Sequence, residues 1–307
     1  MKGWRLLKPM TLITTCRIWL CVVVLGSLVA CDQSRKAKRL IGRAEKSENT
    51  GQVKEAAELY HKAAQLAPGD FDAQYRTAII YLKLDDLDRS EEHFKQALAL
   101  RPDVAEARLN LGVILIRRGN KEEGRKELLE SLRLNPRLTK AYYNLGLVAA
   151  GDGRFDEAEK HYRKALSIDP NDQLSYVRLG NLYVKLEKFS SAVEAFDKAL
   201  KLNPNDPSVY VNLGVAYEAL GKHEQSLAAL TKAAQLNPSN SRAHYNLGTL
   251  LLKMKDYQNA VGHLREAITI NPGFADAFYN LAASYAGLGV KERALRELKT
   301  AINLDSA

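Results

Sequence analysis

The chain is nearly devoid of cysteine. Its 307 residues include three, Cys16, Cys21 and Cys31, all close to the N-terminus, so the body can hold neither a disulfide framework nor a cysteine-bound metal cluster. Histidine is also scarce. Of the six (His61, His93, His161, His223, His244 and His263), no two stand at the spacing of a metal site on one helix, so no metal or other cofactor is expected. The phosphate loop, the dinucleotide fingerprint, the metalloprotease helix and the nucleophile elbow are all missing. Asp and Glu gather near turns, where they cap helices and solvate faces. With no catalytic constellation, the chain reads as a non-enzyme.

A membrane-length apolar run is lacking as well. The longest, Ile18 to Ala30, has 13 residues, which rise about 20 Å as helix against a hydrocarbon core of about 30 Å. Following Lys2, Arg5, Lys8 and Arg17, it reads as a cleavable export signal over residues 1–30. An uncleaved anchor from Met10 to Ala30, marred by Arg17, is the structural alternative, and Met10 is an alternative start that leaves the same ending. Net charge is +9, but residues 1–43 carry eight of those charges. The nearly neutral body has no field to hold phosphates, and nucleic acid is not an expected partner.

Against these absences stands one regularity. Pro68, Pro102, Pro136, Pro170, Pro204, Pro238 and Pro272 are each 34 residues from the next, and a constant period in that range marks a stacked array rather than separate globules. Taken as near-terminal marks, they delimit eight units, 37–70, 71–104, 105–138, 139–172, 173–206, 207–240, 241–274 and 275–307, after a basic linker at 31–36. In the fourth unit, Tyr142, Leu145, Gly146 and Ala149 line one face of a helix; Gly151-Asp152-Gly153 breaks it; Ala158, Tyr162 and Ala165 line a second helix. Glycine recurs in the first helix at 112, 146, 180, 214 and 248, although each costs about 1 kcal/mol against alanine. Close approach of the partner helix compensates: Gly146 is expected against Ala158, Gly180 against Ala192 and Gly248 against Ala260, with Tyr60, Phe94, Tyr162 and Phe196 filling the space beside them.

These units resemble tetratricopeptide repeats, with Leu-Gly, aromatic and Ala positions and a closing Pro at fixed offsets over residues 37–307. Ser90, Gly124 and Ser226 depart from the first Ala, Ser131 from the second, and Arg43, Ala44 and Ser47 from the first unit's pattern. The resemblance implies an all-α fold: a right-handed α-solenoid of about eight helix-turn-helix units, whose first helices line a concave groove. Toward that side the register repeats Asn110, Asn144, Asn212, Asn246 and Asn280, interrupted by Arg76 and Arg178, with Tyr75, Tyr143, Tyr245 and Tyr279 preceding. An amide ladder offers donors and acceptors to an extended peptide backbone; it is equally the asparagine of an average repeat satisfying local polar groups. Tyr143, Tyr245 and Tyr279 are candidate contact surfaces, and equally packing residues. The family's carboxylate clamp is rejected: Asn181, Asn212 and Arg242 match part of it, but Val177 and Asn246 stand where it needs cations. His93, His161 and His263 share one register but lie in three separate units, so they form no common site.

Leu28-Val29-Ala30-Cys31 resembles the lipobox of bacterial lipoproteins, which implies diacylglyceryl attachment at Cys31 and cleavage before it. Asp32, with Gln33 next, is similar to the signal that retains such proteins on the inner membrane. The expected protein is therefore a lipid-anchored scaffold or adaptor facing the periplasm, binding a protein or peptide in assembly of a pilus, secretion or cell-wall complex. The alternative is a component of glycan or exopolysaccharide machinery holding sugar in the same groove. Val290, Leu295, Leu298 and Ile302 are expected to face outward in part, implying that the C-terminal unit pairs with another copy, as a homo-oligomer, or with a different partner.

Overall fold

The computed structural model describes the backbone of residues 12–305 and the side chains of residues 31–305. The start of the expected signal peptide, the side chains of Cys16 and Cys21, and residues 306 and 307 lie outside that range. The described residues form sixteen α-helices and no strand. In chain order these are α1 (Leu12–Asn49), α2 (Val53–Leu66), α3 (Phe71–Lys83), α4 (Leu87–Leu100), α5 (Ala105–Arg117), α6 (Lys121–Leu134), α7 (Thr139–Gly151) and α8 (Phe155–Ile168). They continue with α9 (Gln173–Lys185), α10 (Phe189–Leu202), α11 (Pro207–Ala219), α12 (His223–Leu236), α13 (Ser241–Lys253), α14 (Tyr257–Ile270), α15 (Ala275–Gly287) and α16 (Lys291–Asp305). Two compact units result, one ending at Ala141 and one beginning at Tyr142.

The residues at each boundary explain why the helices start and stop there. Asp70 accepts from the backbone N–H of Asp72 at 2.9 Å and of Ala73 at 3.2 Å, satisfying two donors that α3 leaves open. Asp206 does the same for α11 ahead of Pro207, whose missing N–H costs nothing in the first turn. Second helices end one residue before a C-cap that is followed by the periodic proline, as with Leu66, Ala67 and Pro68. Within each hairpin the reversal needs a left-handed residue, and Gly51, Gly119, Gly153, Gly221 and Gly289 supply it at φ between 71° and 90°. Asp85, Glu187 and Lys255 adopt the same conformation without being glycine.

In the first seven hairpins one large side chain fills the core at a fixed register: Tyr60, Phe94, Leu128, Tyr162, Phe196, Leu230 and Leu264 are each essentially fully buried. These large residues leave no room for a side chain at most of the first-helix glycines. A Cβ on Gly146 would lie 2.5 Å from the Tyr162 ring, one on Gly180 2.5 Å from Phe196, and one on Gly248 2.6 Å from Leu264. The serines at alanine positions are accommodated by hydrogen bonds: Ser90 Oγ donates to the Ala78 carbonyl and Ser226 Oγ to the Gly214 carbonyl, both at 2.8 Å. A buried hydroxyl is thereby satisfied without extra volume.

Residues 31–36, read as a linker, are helical. They lie inside α1, which runs unbroken through Cys31 and pairs with α2, and Lys36 and Asp32 meet at 2.7 Å across one turn. Among the described residues, no helix is long and apolar enough to cross a membrane.

Candidate functional site

Within the unit beginning at Tyr142, three consecutive first helices bring a polar line together. Asn212 on α11 donates from Nδ2 to Asn181 Oδ1 on α9 at 2.8 Å, and its Oδ1 accepts from an Arg242 guanidinium N–H on α13 at 3.1 Å. The orientation follows from the chemistry. Arginine can only donate, so the Asn212 oxygen must face it and the Asn212 amide group must face the Asn181 oxygen. This polarised line borders a recess of about 270 Å³ lined by Asn181, Val184, Lys185, Asn212, Val215 and Arg242.

The recess is unbalanced in charge. Lys185 lies with its Nζ 4.7 Å over the Phe155 ring, and neither it nor Arg242 has a carboxylate within ion-pair distance among the described residues. Arg242 spends one of its five N–H groups on Asn212, and the Asn181 oxygen is already engaged. What remains pointing into the recess is mainly donor, which suits a carboxylate or another anionic group.

The sequence candidates fare unequally. Asn110 on α5 is half-buried and belongs to the unit ending at Ala141; Asn144 on α7 is half-buried and already engaged. Asn212 sits at the centre of the line. Asn280 on α15 donates to Thr249 Oγ1 at 2.9 Å, and that hydroxyl donates to the Tyr245 carbonyl at 2.8 Å, so Asn280 ties α15 to α13. The amide nitrogen of Asn246 is shielded from solvent and has no hydrogen-bond partner.

The tyrosines turn mostly inward. Tyr143 packs its ring against Tyr162 at 6.3 Å, and its hydroxyl accepts from Arg178 Nε at 3.2 Å. Tyr245 packs on Phe274 at 4.5 Å. Tyr279 alone of the three is open, 60% exposed, beside a recess of about 480 Å³ that includes Ala282, Leu295 and Leu298. Of the residues expected outward at this end, Leu295 is 67% and Ile302 57% exposed, while Val290 and Leu298 are half-buried. Cys31 is an exposed free thiol on α1.

Asn181, Asn212 and Arg242 were read together in the sequence only as part of the rejected carboxylate clamp, and Lys185 was not read as a groove residue. Lys185 lies one helical turn beyond Asn181, where only the close approach of Asn212 shows that it shares a recess. Two histidine pairs were also missed: His61 and His93 approach at 3.3 Å and His244 and His263 at 3.2 Å. Their members come from different helices, so spacing along one helix could not reveal them. Among the described residues, no three His, Cys, Asp or Glu side chains form a ready-made metal cluster.

The repeats define the class: a tandem array of helical hairpins built for recognition. Tetratricopeptide repeat models match residues 50–94, 75–138, 139–172, 207–240 and 241–274, and a further TPR model matches 180–221. The chain belongs to the tetratricopeptide repeat family, whose members serve as protein-interaction scaffolds.

Among solved structures it is similar to MamA protein, at 28% identity with a TM-score of 0.51, covering 55% of this chain and 92% of that one. It is similar to YrrB, a TPR protein with an unusual peptide-binding site, at 27% identity and 0.51, covering 58% and 91%. Pseudomonas aeruginosa pilF, at 21% identity and 0.61 over 67% and 94%, shares the fold. No curated protein matches the sequence.

Proposed function

We propose that the chain is a membrane-anchored scaffold of the bacterial cell envelope. It holds an extended protein segment along its first helices and seats an acidic group of that segment between Lys185 and Arg242. The observation that carries this reading is the recess at Asn181, Asn212 and Arg242, which two cations without a carboxylate partner, Lys185 and Arg242, also line. The similarity to YrrB, a TPR protein with a peptide-binding site, supports a peptide as the guest. The rings of Tyr143 and Tyr245 are packed, so of the three candidate tyrosines Tyr279 alone offers the open aromatic platform that the glycan alternative requires.

The anchor is the lipid expected on Cys31, supported by Leu28-Val29-Ala30-Cys31 and by the exposure of the thiol. Several acyl chains bind far more firmly than the marginal single chain. Arg35, Lys36, Lys38 and Arg39 follow directly, and such basic residues are drawn to anionic headgroups. Asp32 and Gln33 favour the periplasmic face of the inner membrane. Assembly of a pilus, secretion or cell-wall complex is the process such a scaffold would serve.

Fluorescence anisotropy with extended peptides that differ only in one carboxylate tests the guest. Arg242→Gln and Lys185→Gln should each weaken the acidic peptide about tenfold, the value of one charge-assisted hydrogen bond, and leave the neutral peptide nearly unchanged. Equal affinity for both peptides in the unaltered chain removes the recess from the reading. Metabolic labelling with a fatty-acid analogue, lost in Cys31→Ser, tests the anchor separately.

A further inference from the structure

We propose that His244 and His263 form a seat for a divalent transition-metal ion, with Glu266 supplying a third ligand. The pair joins α13 to α14, the two helices of the hairpin 241–274. Nδ1 of His244 and Nδ1 of His263 stand 3.2 Å apart, with the rings inclined by 28°. Two imidazole nitrogens bound to one ion at about 2.0–2.1 Å are separated by roughly 2.9 Å at a right angle and roughly 3.3 Å at the tetrahedral angle. The observed spacing falls between these limits.

The far side of His244 is already fixed as metal ligands require. Its Nε2 lies 3.2 Å from the Pro238 carbonyl, an acceptor only, so Nε2 carries the proton and Nδ1 presents its lone pair to His263. A backbone carbonyl in this position sets tautomer and ring orientation in histidine metal sites. His263 Nδ1 therefore holds the proton between the rings. Metal uptake needs a slight ring turn and the transfer of that proton to Nε2 of His263, with no net proton released by the neutral pair.

Glu266 stands three residues after His263 on α14, on the same face. It is exposed and free to swing toward the ion. Two nitrogens and one carboxylate oxygen suit zinc, nickel or copper rather than magnesium or calcium, and they leave a coordination position for water or an incoming side chain. The pair His61 and His93 shows a similar separation, with the Tyr81 ring near both imidazoles.

The test uses the untagged full chain carrying His61→Gln and His93→Gln, titrated with Zn²⁺ by calorimetry. One ion should bind saturably, with at least tenfold weaker uptake in His263→Gln and a smaller loss in Glu266→Gln. Should a substitution disturb folding, ¹⁵N-edited imidazole spectra of the unaltered chain decide: Zn²⁺ should move the Nδ1 resonances of both His244 and His263. No saturable uptake, uptake indifferent to His263→Gln, or imidazole resonances unmoved by Zn²⁺ would each overturn the proposal.

Discussion

The Tyr162 ring occupies the place where Gly146 would carry a side chain: a Cβ there would meet Cε1 at 2.5 Å and Cδ1 at 2.7 Å. The glycine is kept for volume, against its own helix propensity. Gly146→Ala should therefore destabilise by about 1–3 kcal/mol through overpacking, even though alanine is the better helix former. Gly262, in mid-α14 with nothing within 4 Å of a built Cβ, supplies the control. Gly262→Ala should stabilise by up to about 1 kcal/mol. Urea denaturation of the two variants should move the midpoint in opposite directions; equal shifts would mean that contact with the partner helix does not set the register.

Three hairpin reversals are made without glycine. Asp85, Glu187 and Lys255 hold φ of 62°, 56° and 64°, at the register where the other five turns use glycine. A left-handed residue other than glycine, asparagine or aspartate costs about 1–2 kcal/mol, while the more flexible unfolded glycine gives back about 0.4–1. Glu187→Gly and Lys255→Gly should each stabilise by several tenths of a kcal/mol, and Asp85→Gly by less. Thermal melts of the single and triple variants check the ordering.

The hairpins were legible because proline and glycine act locally. Proline cannot sit in a helix interior, so the periodic Pro68 to Pro272 marked breaks between helices, and the all-α repeat architecture followed. The partner of each first-helix glycine was not legible in the same way. That the Tyr162 ring, one helical turn past Ala158, fills the place of a side chain on Gly146 depends on how the two axes meet. The groove was legible in register but not in use, because Asn212, Asn246 and Asn280 occupy equivalent positions with different neighbours. Arg242 reaches Asn212, Thr249 receives Asn280, and nothing receives the Asn246 amide. The histidine pairs were invisible to any rule written for one helix.

Acidification should loosen the hairpins around His93. This imidazole is buried on α4, with Nδ1 2.7 Å from Gln74 Oε1, His61 at 3.3 Å and the Tyr81 ring stacked on it. Burial, and then His61, push its pKa below the ordinary value; Arg89 acts in the same direction and Glu92 against it. The unfolded chain then binds the proton more readily than the folded one, so stability rises with pH through this window. It is fully present above the ordinary value of about 6.5 and is lost as pH falls below it. Unfolding midpoints between pH 7.5 and pH 5 should decline, and less steeply in His93→Gln. An identical slope in the variant would assign the pH dependence to other groups.

Asn246 separates folding from binding. Its buried amide nitrogen has no partner, and an unsatisfied buried donor costs about 1–3 kcal/mol. It also occupies a helix position where alanine is several tenths of a kcal/mol better. Asn246→Ala should therefore leave stability unchanged or raise it. Asn212→Ala, which removes both the acceptor for Arg242 and the donor to Asn181, should lower stability and peptide affinity together. If Asn246 is held in readiness for a guest, with its amide rotating outward when a peptide carbonyl arrives, Asn246→Ala will bind peptide more weakly while melting no lower. A residue that weakens the fold when unliganded and strengthens the complex trades stability for recognition. Unchanged affinity alongside higher stability would instead mark Asn246 as an ordinary feature of the repeat, and the anisotropy and melting measurements together distinguish the two.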